Sequence, residues 1–597
     1  MALRSPTLVG PPPASSPTRQ GQRPRRVAVD ARLPILAVLA LFAVLAWNRR
    51  WVNEDGFIYF RIVDNLLAGH GPVFNVGERV ETYTSPTWTA LLALLAVGLP
   101  VSLPWISVFL GLVTSLAGFA LAALGALRFA RTGGDTGPAL PLGLLVVAVV
   151  PTFWDFATSG LETGLIFLWL GGVWWGLVRS GGRGGPLLAL AVGLGPLVRP
   201  DLAVFSAGFL LLLVLSGPRS WGRAARLVAW AAAIPLAYEL FRMAYFAALV
   251  PNTALAKEAG AALWGRGAGY FAAFVADYWL FVPLAALAAW GVAGLRRRPS
   301  RERVALAAAP VACAIVHALF VVRLGGDYMH GRMLLPSLLG AVLPVAVVVV
   351  ERRAALALAA VVGLWALVCA LFLQAPSRLI DNTEPWYDQR TTLNARQGHA
   401  HPVTLEDYAR FEASQPTIGW RLRDLARARS AVVVDYRPAR RRVGDRVLPW
   451  LEPRPLPRAW TARAARAPVL AYTGSIGRLG YAAGSSVRIG DSLGLADPVG
   501  SRVRLIEPRT RRPGHEKEFP EAWYLARFAA GNLPAARRPQ VAAARQALAC
   551  APLRELLAAT SEPLTAGRAA ANLGVALRAH GLRVDPDPVV ARAEVCR

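Results

Sequence analysis

Long apolar runs separated by short polar stretches organise the first 374 residues. Runs near 33–49, 104–127, 138–153, 163–179, 186–197, 202–216, 227–248, 269–293, 303–322, 332–350 and 354–373 hold few charges or none. They predict about eleven membrane spans, several of them short against the roughly 20 apolar residues of a full crossing. One further apolar piece, 87–99, is bounded by Pro86 and Pro100 and predicts a helix that dips into the membrane without crossing. The stretch from Phe57 to Leu67 follows a different pattern. Its apolar residues recur at helical spacing with Arg61, Asp64 and Asn65 between them, as in a helix lying along a membrane surface.

The alternation of loops can be checked by charge. With the amino terminus inside, the inner loops are 128–131, 179–183, 219–226, 296–303 and 351–353, and every one is basic, as the positive-inside rule requires. Counting 87–99 as a crossing would place all of these loops outside. The outer loops are 53–85, 154–163, 199–201, 242–257 and 323–332. Each carries Asp, Glu, Asn, His or Arg beside Gly, Pro or an aromatic residue, so these loops can converge on one site at one face of the bundle.

Composition agrees with a polytopic α-helical membrane protein: 55% of the 597 residues are hydrophobic. The net charge of +28 does not indicate a nucleic-acid binder. In the first half Arg sits in short inner loops, and in the second half it is dispersed along a surface facing solvent, anionic lipid or an anionic polymer. Residues 1–30, rich in Pro, Ser and Arg, read as a disordered basic cytoplasmic tail. Trp47-Asn48-Arg49-Arg50-Trp51 closes the first span without a small-residue cleavage site, which marks an uncleaved anchor. The membrane domain is therefore 31–374, with a first outer loop at 52–86.

From 375 to 597 the apolar runs stop. This part is expected to be a soluble extracytoplasmic domain of mixed α/β or β-rich type. Residues 431–435 and 469–472 are strand-like, and 539–579 is helical. The Gly-rich segments 474–481 and 490–498 fit no dinucleotide or P-loop spacing and are assigned to tight turns. Cys313 and Cys369 fall in spans and are packing residues. Cys550 and Cys596 fall in the exported domain, where an oxidising compartment favours a disulfide. No CxxC or His/Cys cluster suggests a metal.

Glu54 and Asp55 stand where the first span emerges into water. A carboxylate there can serve as a general base toward a hydroxyl, or simply cap a helix. Arg199, Arg242, Lys257, Arg323 and Arg332 are cations suited to a lipid-linked phosphate, with interfacial snorkelling as the competing reading for each. The run from Asp327 to Arg332 brings an acid, Tyr328, His330 and a guanidinium together. Ionisable residues gather at one face and no internal repeat is visible, which favours an enzyme over a transporter with a midplane site.

Asn53 to Arg61, Thr84-Ser85-Pro86, Thr158 to Thr163, Arg199-Pro200-Asp201, Pro251-Asn252-Thr253, Gly325 to Arg332, Gly494 to Pro498 and Arg512 to Glu516 occur in that order. Their succession resembles the GT-C membrane glycosyltransferases, and within them the AftB/ZomB-like family of terminal β-(1→2)-arabinofuranosyltransferases. The resemblance implies a monomeric plasma-membrane enzyme with decaprenyl-phosphoryl-arabinose as donor. The acceptor would be the arabinan of arabinogalactan and lipoarabinomannan, and the outer domain a carbohydrate-binding module. It implies Asp55 as the catalytic acid position. Arg332, Lys257, Arg199, Arg242 and His330 are the candidates for the donor phosphate; Asp155, Glu162, Asp201, Asn252 and Tyr328 are those for the acceptor cavity. Net retention of β configuration would call for a second carboxylate, for which Glu54 and Asp327 are the candidates, or for front-side attack. The alternatives are another polyprenyl-phosphate-sugar transferase of this class, or a non-enzymatic transporter or motor-associated membrane protein.

Overall fold

The computed structural model describes residues 32–134, 137–258, 262–349, 353–373, 384–410, 414–428, 432–443, 446–455, 460–462, 469–506, 512–531 and 537–597. The basic tail 1–30 lies outside the described residues. Four described helices are long and apolar enough to cross a membrane: Leu103–Thr132, Trp221–Phe246, Arg301–Leu324 and Arg353–Phe372. A bent pair, Trp264–Asp277 with Phe281–Arg297, makes a fifth if it is one span. Shorter apolar helices lie at Arg32–Asn48, Pro86–Gly98, Thr163–Arg179, Pro186–Val198, Pro200–Leu215 and Arg332–Val345. By length, then, four or five crossings qualify, and the eleven runs of the sequence include helices too short to qualify on that criterion alone. Leu94, Val97, Leu236, Leu364 and Phe372 are exposed on these helices, as lipid-facing residues would be.

Two of the predicted single spans are broken. The run 269–293 bends by 86° around residues 278–280. Trp279 takes a left-handed φ of 49° there, and the Tyr278 hydroxyl lies 3.1 Å from that of Thr152. The run 138–153 divides into Leu142–Val149 and Pro151–Ala157. Proline lacks the N–H that would continue the first helix and drives Val150 into extended backbone.

The helices Leu103–Thr132 and Thr163–Arg179 approach through glycine. A Cβ on Gly118 would lie 2.3 Å from the Phe167 carbonyl carbon, and one on Gly171 only 2.1 Å from the Gly118 oxygen. Gly111 with Gly118, and Gly164 with Gly171, recur every seventh residue and form one small-residue stripe per helix.

In the C-terminal segment a four-stranded sheet runs in the spatial order Arg446–Pro455, Val432–Val443, Val469–Thr473, Val487–Asp491. The first pair is antiparallel and the others are parallel. The first Gly-rich segment does more than turn: it enters the helix Gly477–Ala483, which joins the two parallel strands. The second does turn, with Gly494 at φ 76°. Helices Arg538–Ala549, Ala551–Ser561, Ala566–His580 and Pro588–Val595 complete the segment. One buried hydrophobic cluster runs without interruption from Ile35 in the first helix to Ala496 in the C-terminal segment.

Cys550 and Cys596 are joined by a disulfide across a sequence separation of 46, whereas Cys313 and Cys369 are free and buried. A loop of that length is stabilised by roughly 4 kcal/mol in the chain-entropy description. Thiol labelling of denatured, unreduced protein should modify Cys313 and Cys369 alone. Labelling of all four cysteines without reductant would show that the bond does not form.

Candidate active site

The site is organised by the helix Glu54–Leu67. Asn53 caps it by accepting the Asp55 backbone N–H at 2.8 Å. At 100° per residue, Asp55, Ile58 and Tyr59 share one face, and Glu54 and Arg61 share another. The first face lines a cavity. The second docks on the C-terminal segment. The Glu54 carboxylate accepts the backbone N–H groups of Gly477 and Arg478 at 3.0 and 3.2 Å and pairs with the Arg478 guanidinium at 2.5 Å. Arg61 is buried and donates to the carbonyls of Phe74 and Val487 at 2.7 Å and to that of Gly480. Burial, with Arg488 nearby, pulls its pKa down to about 9, so it still carries its charge at neutral pH inside a cage of carbonyl oxygens.

The cavity spans about 600 Å³, counting the part open to solvent. Asp55, Tyr59, Glu162, Lys257, Tyr328, Arg332 and His515 contribute its polar lining, together with Thr82, Thr84 and Thr253. The Tyr328 hydroxyl donates to Asp55 at 3.4 Å. Burial and then the Asp55 charge push the Tyr328 phenol far above its ordinary pKa, so it stays a donor. Arg332 lies 3.3 Å from Glu162 and 3.6 Å from Asp327, and its Nε has no partner among the described residues. Glu162 also accepts from the Tyr59 hydroxyl at 3.4 Å. Among the described residues, neither Asp55 nor Lys257 has an ion-pair partner.

The walls are held by contacts that cross the chain. Asn252 donates its amide to the carbonyls of Gly494, Leu495 and Asp497 at 2.8–3.2 Å, which brings Leu493 and Leu495 against the cavity. Gly514, at φ 77°, packs on the Lys257 stem, where a Cβ would come within 3.1 Å. Among the described residues no group of His, Cys, Asp and Glu could hold a metal ion.

Several sequence candidates lie elsewhere. Glu54 does not line the cavity, because its carboxylate is committed to the C-terminal helix. Asp327 does not line it either; it accepts the Tyr328 N–H at 2.8 Å and faces Arg332. Of the phosphate candidates, Lys257 and Arg332 reach the cavity and Arg199, Arg242 and His330 do not. Arg199 chelates Asp201 with two contacts of 2.6 Å, and Asp201 also meets His317 at 2.7 Å. Arg242 pairs with Glu81 at 2.6 Å. Asp155 pairs with Arg49 at 2.6 Å and, with His330, lines a second, smaller cavity. Of the acceptor candidates, Glu162 and Tyr328 reach the first cavity. Tyr59 and Thr253 could have been read from the sequence, since Tyr59 stands one turn beyond Asp55 and Thr253 four residues before Lys257. His515 could not, because nothing local ties it to this site.

A model of the AftB family C-terminal domain matches residues 426–593. A protein of Mycobacterium tuberculosis named terminal beta-(1->2)-arabinofuranosyltransferase is 33% identical over 92% of this chain and 94% of its own length. A Corynebacterium glutamicum protein of the same name is 32% identical over 90% of this chain and 84% of its own. No solved structure matches.

The two neighbouring acids should separate in their effects. Glu54→Ala leaves Arg478 buried without its counter-ion and should lower stability by about 3 kcal/mol or more. Thermal unfolding of purified protein measures this. Asp55→Asn should leave the midpoint near wild type.

Proposed function

The chain belongs to the family of terminal β-(1→2)-arabinofuranosyltransferases, and from that premise we propose that it moves an arabinofuranosyl group from decaprenyl-phosphoryl-arabinose to the 2-hydroxyl of arabinan termini. The observation that carries the assignment of roles is the pair of unpaired charges, Asp55 and Lys257, lining one cavity. Asp55 takes the acceptor proton. The acceptor oxygen bonds to the anomeric carbon as the bond to the phosphate oxygen breaks, and the leaving electron pair stays on the phosphate. Lys257 and Arg332 hold that anion, since charge-assisted bonds to phosphate are the strong ones. Tyr328 donates to Asp55 and fixes the orientation of the base.

Asp55 is the lining carboxylate outside an ion pair, whereas Glu162 is paired with Arg332. That favours substitution on the face from which the phosphate departs, giving retention without a second carboxylate. In this reading the enzyme is a monomer of the plasma membrane with about eleven spans, its amino terminus inside and its cavity and C-terminal segment outside, as the basic inner loops indicate.

Transfer from synthetic polyprenyl-phosphoryl-arabinose to an arabinan acceptor, with the product linkage read by NMR, tests the reading. Asp55→Asn should bind donor and lose turnover by about 100-fold or more. Wild-type turnover in that variant would remove Asp55 from the chemistry. Lys257→Ala should weaken donor binding with little loss of stability. Arg332 is the poorer probe, because its removal also strands Glu162 and Asp327.

A further inference from the structure

The loop 512–517 of the C-terminal segment is fastened on both sides of His515. Arg512 lies over the Tyr387 ring at 5.0 Å, Arg266 pairs with Glu516, and Lys517 donates to the Leu255 carbonyl at 3.1 Å. Gly514 sits on the Lys257 stem. His515 therefore enters the cavity as a fixed group. Its ring meets that of Tyr328 edge to face, with centroids 4.5 Å apart.

The imidazole has one nitrogen engaged. Nδ1 lies 3.3 Å from the Pro513 carbonyl oxygen. A carbonyl oxygen can only accept, so this contact places the proton on Nδ1 and leaves the Nε2 lone pair. No described residue donates to Nε2. Burial holds the ring below its ordinary pKa, Lys257 adds to this, and Asp55 and Asp327 oppose it. The ring thus presents an acceptor. A lone pair repels phosphate oxygens and receives a hydroxyl. His515 packs against Tyr328, which donates to Asp55, and its neighbour Gly514 packs on Lys257, so the ring lines the same cavity as the base and the phosphate cation.

We propose that His515 positions the transferred sugar by accepting a hydrogen bond from one hydroxyl of the donor arabinofuranose. The C-terminal segment then supplies part of the reaction site itself, in addition to any grip on the polymer. The inference rests on the functional reading above, and the controls separate the two.

The experiment uses the full chain in membrane mimetic, polyprenyl-phosphoryl-arabinose, and donor analogues lacking the 2-, 3- or 5-hydroxyl. His515→Ala should lower kcat/KM for the complete donor about 10- to 100-fold, the size of one lost hydrogen bond in a buried site. His515→Gln, which keeps an acceptor, should recover most of the loss. With one deoxy donor the wild type and His515→Ala should turn over alike, because the partner hydroxyl is already absent. A folding defect would instead lower all donors equally and move the thermal midpoint. Equal losses on every deoxy donor, a wild-type rate in His515→Ala, or coupling to a deoxy acceptor in place of a deoxy donor would each overturn the proposal. If His515→Ala does not fold, His515→Leu, which fills the space without an acceptor, decides on the same analogues: a hydroxyl-selective loss supports the role, and a uniform loss or none ends it. Failure of the wild type to use any polyprenyl-phosphoryl-arabinose would instead bring down the functional reading, and this inference with it.

Discussion

The ion pair between Glu54 and Arg478 is the constraint on which the site depends. Glu54 is the first residue of the helix Glu54–Leu67, and its carboxylate closes the start of the helix Gly477–Ala483. Arg61, two turns further on, ties the same face to the carbonyls of Gly480 and Val487. With that face pinned, helical periodicity leaves Asp55, Ile58 and Tyr59 no orientation but toward the cavity. The aim of Asp55 is therefore set by its neighbour, and through it by the C-terminal segment.

The same low-dielectric setting governs the other charges. A buried charge without a partner is costly, so most of the ionised residues near this site are neutralised in pairs. Arg199 with Asp201, Arg242 with Glu81, Arg49 with Asp155, and Glu78 with Arg488 and Arg527 all follow that rule. Asp55, half-buried, and Lys257, exposed, stand outside any ion pair among the described residues and line one cavity. Their charges are not taken up by the protein and are open to a ligand in the cavity, which is why the pair carries more weight than the number of charged loop residues around it.

Membrane helices and C-terminal segment also share a single core. Tyr408 donates to the Val52 carbonyl at 2.5 Å, and Asn75 bonds the backbone of Ile489 in both directions, at 2.8 and 3.0 Å. The loop turns that carry Leu493, Leu495 and His515 are anchored by residues of the membrane part. A segment fastened in this way acts on the cavity as a wall.

By itself the sequence determined what depends on neighbours in the chain. Apolar runs marked the membrane helices, and Asp55 stood at a helix start with Tyr59 one turn beyond it. The alternation of basic and chemically loaded loops, the strands near 432 and 469, and the pairing partners Cys550 and Cys596 were legible for the same reason. Tertiary structure alone decided which charges are neutralised and which are free, because the partners lie far apart in the chain. Glu54 and Asp55 are equivalent acids in the sequence, and Arg478 makes one a structural anchor and leaves the other in the cavity. Arg242 and Lys257 are equivalent cations until Glu81 occupies the first. His515 reaches the site through the fold, since long-range packing brings together residues whose spacing in the chain carries no signal of their meeting.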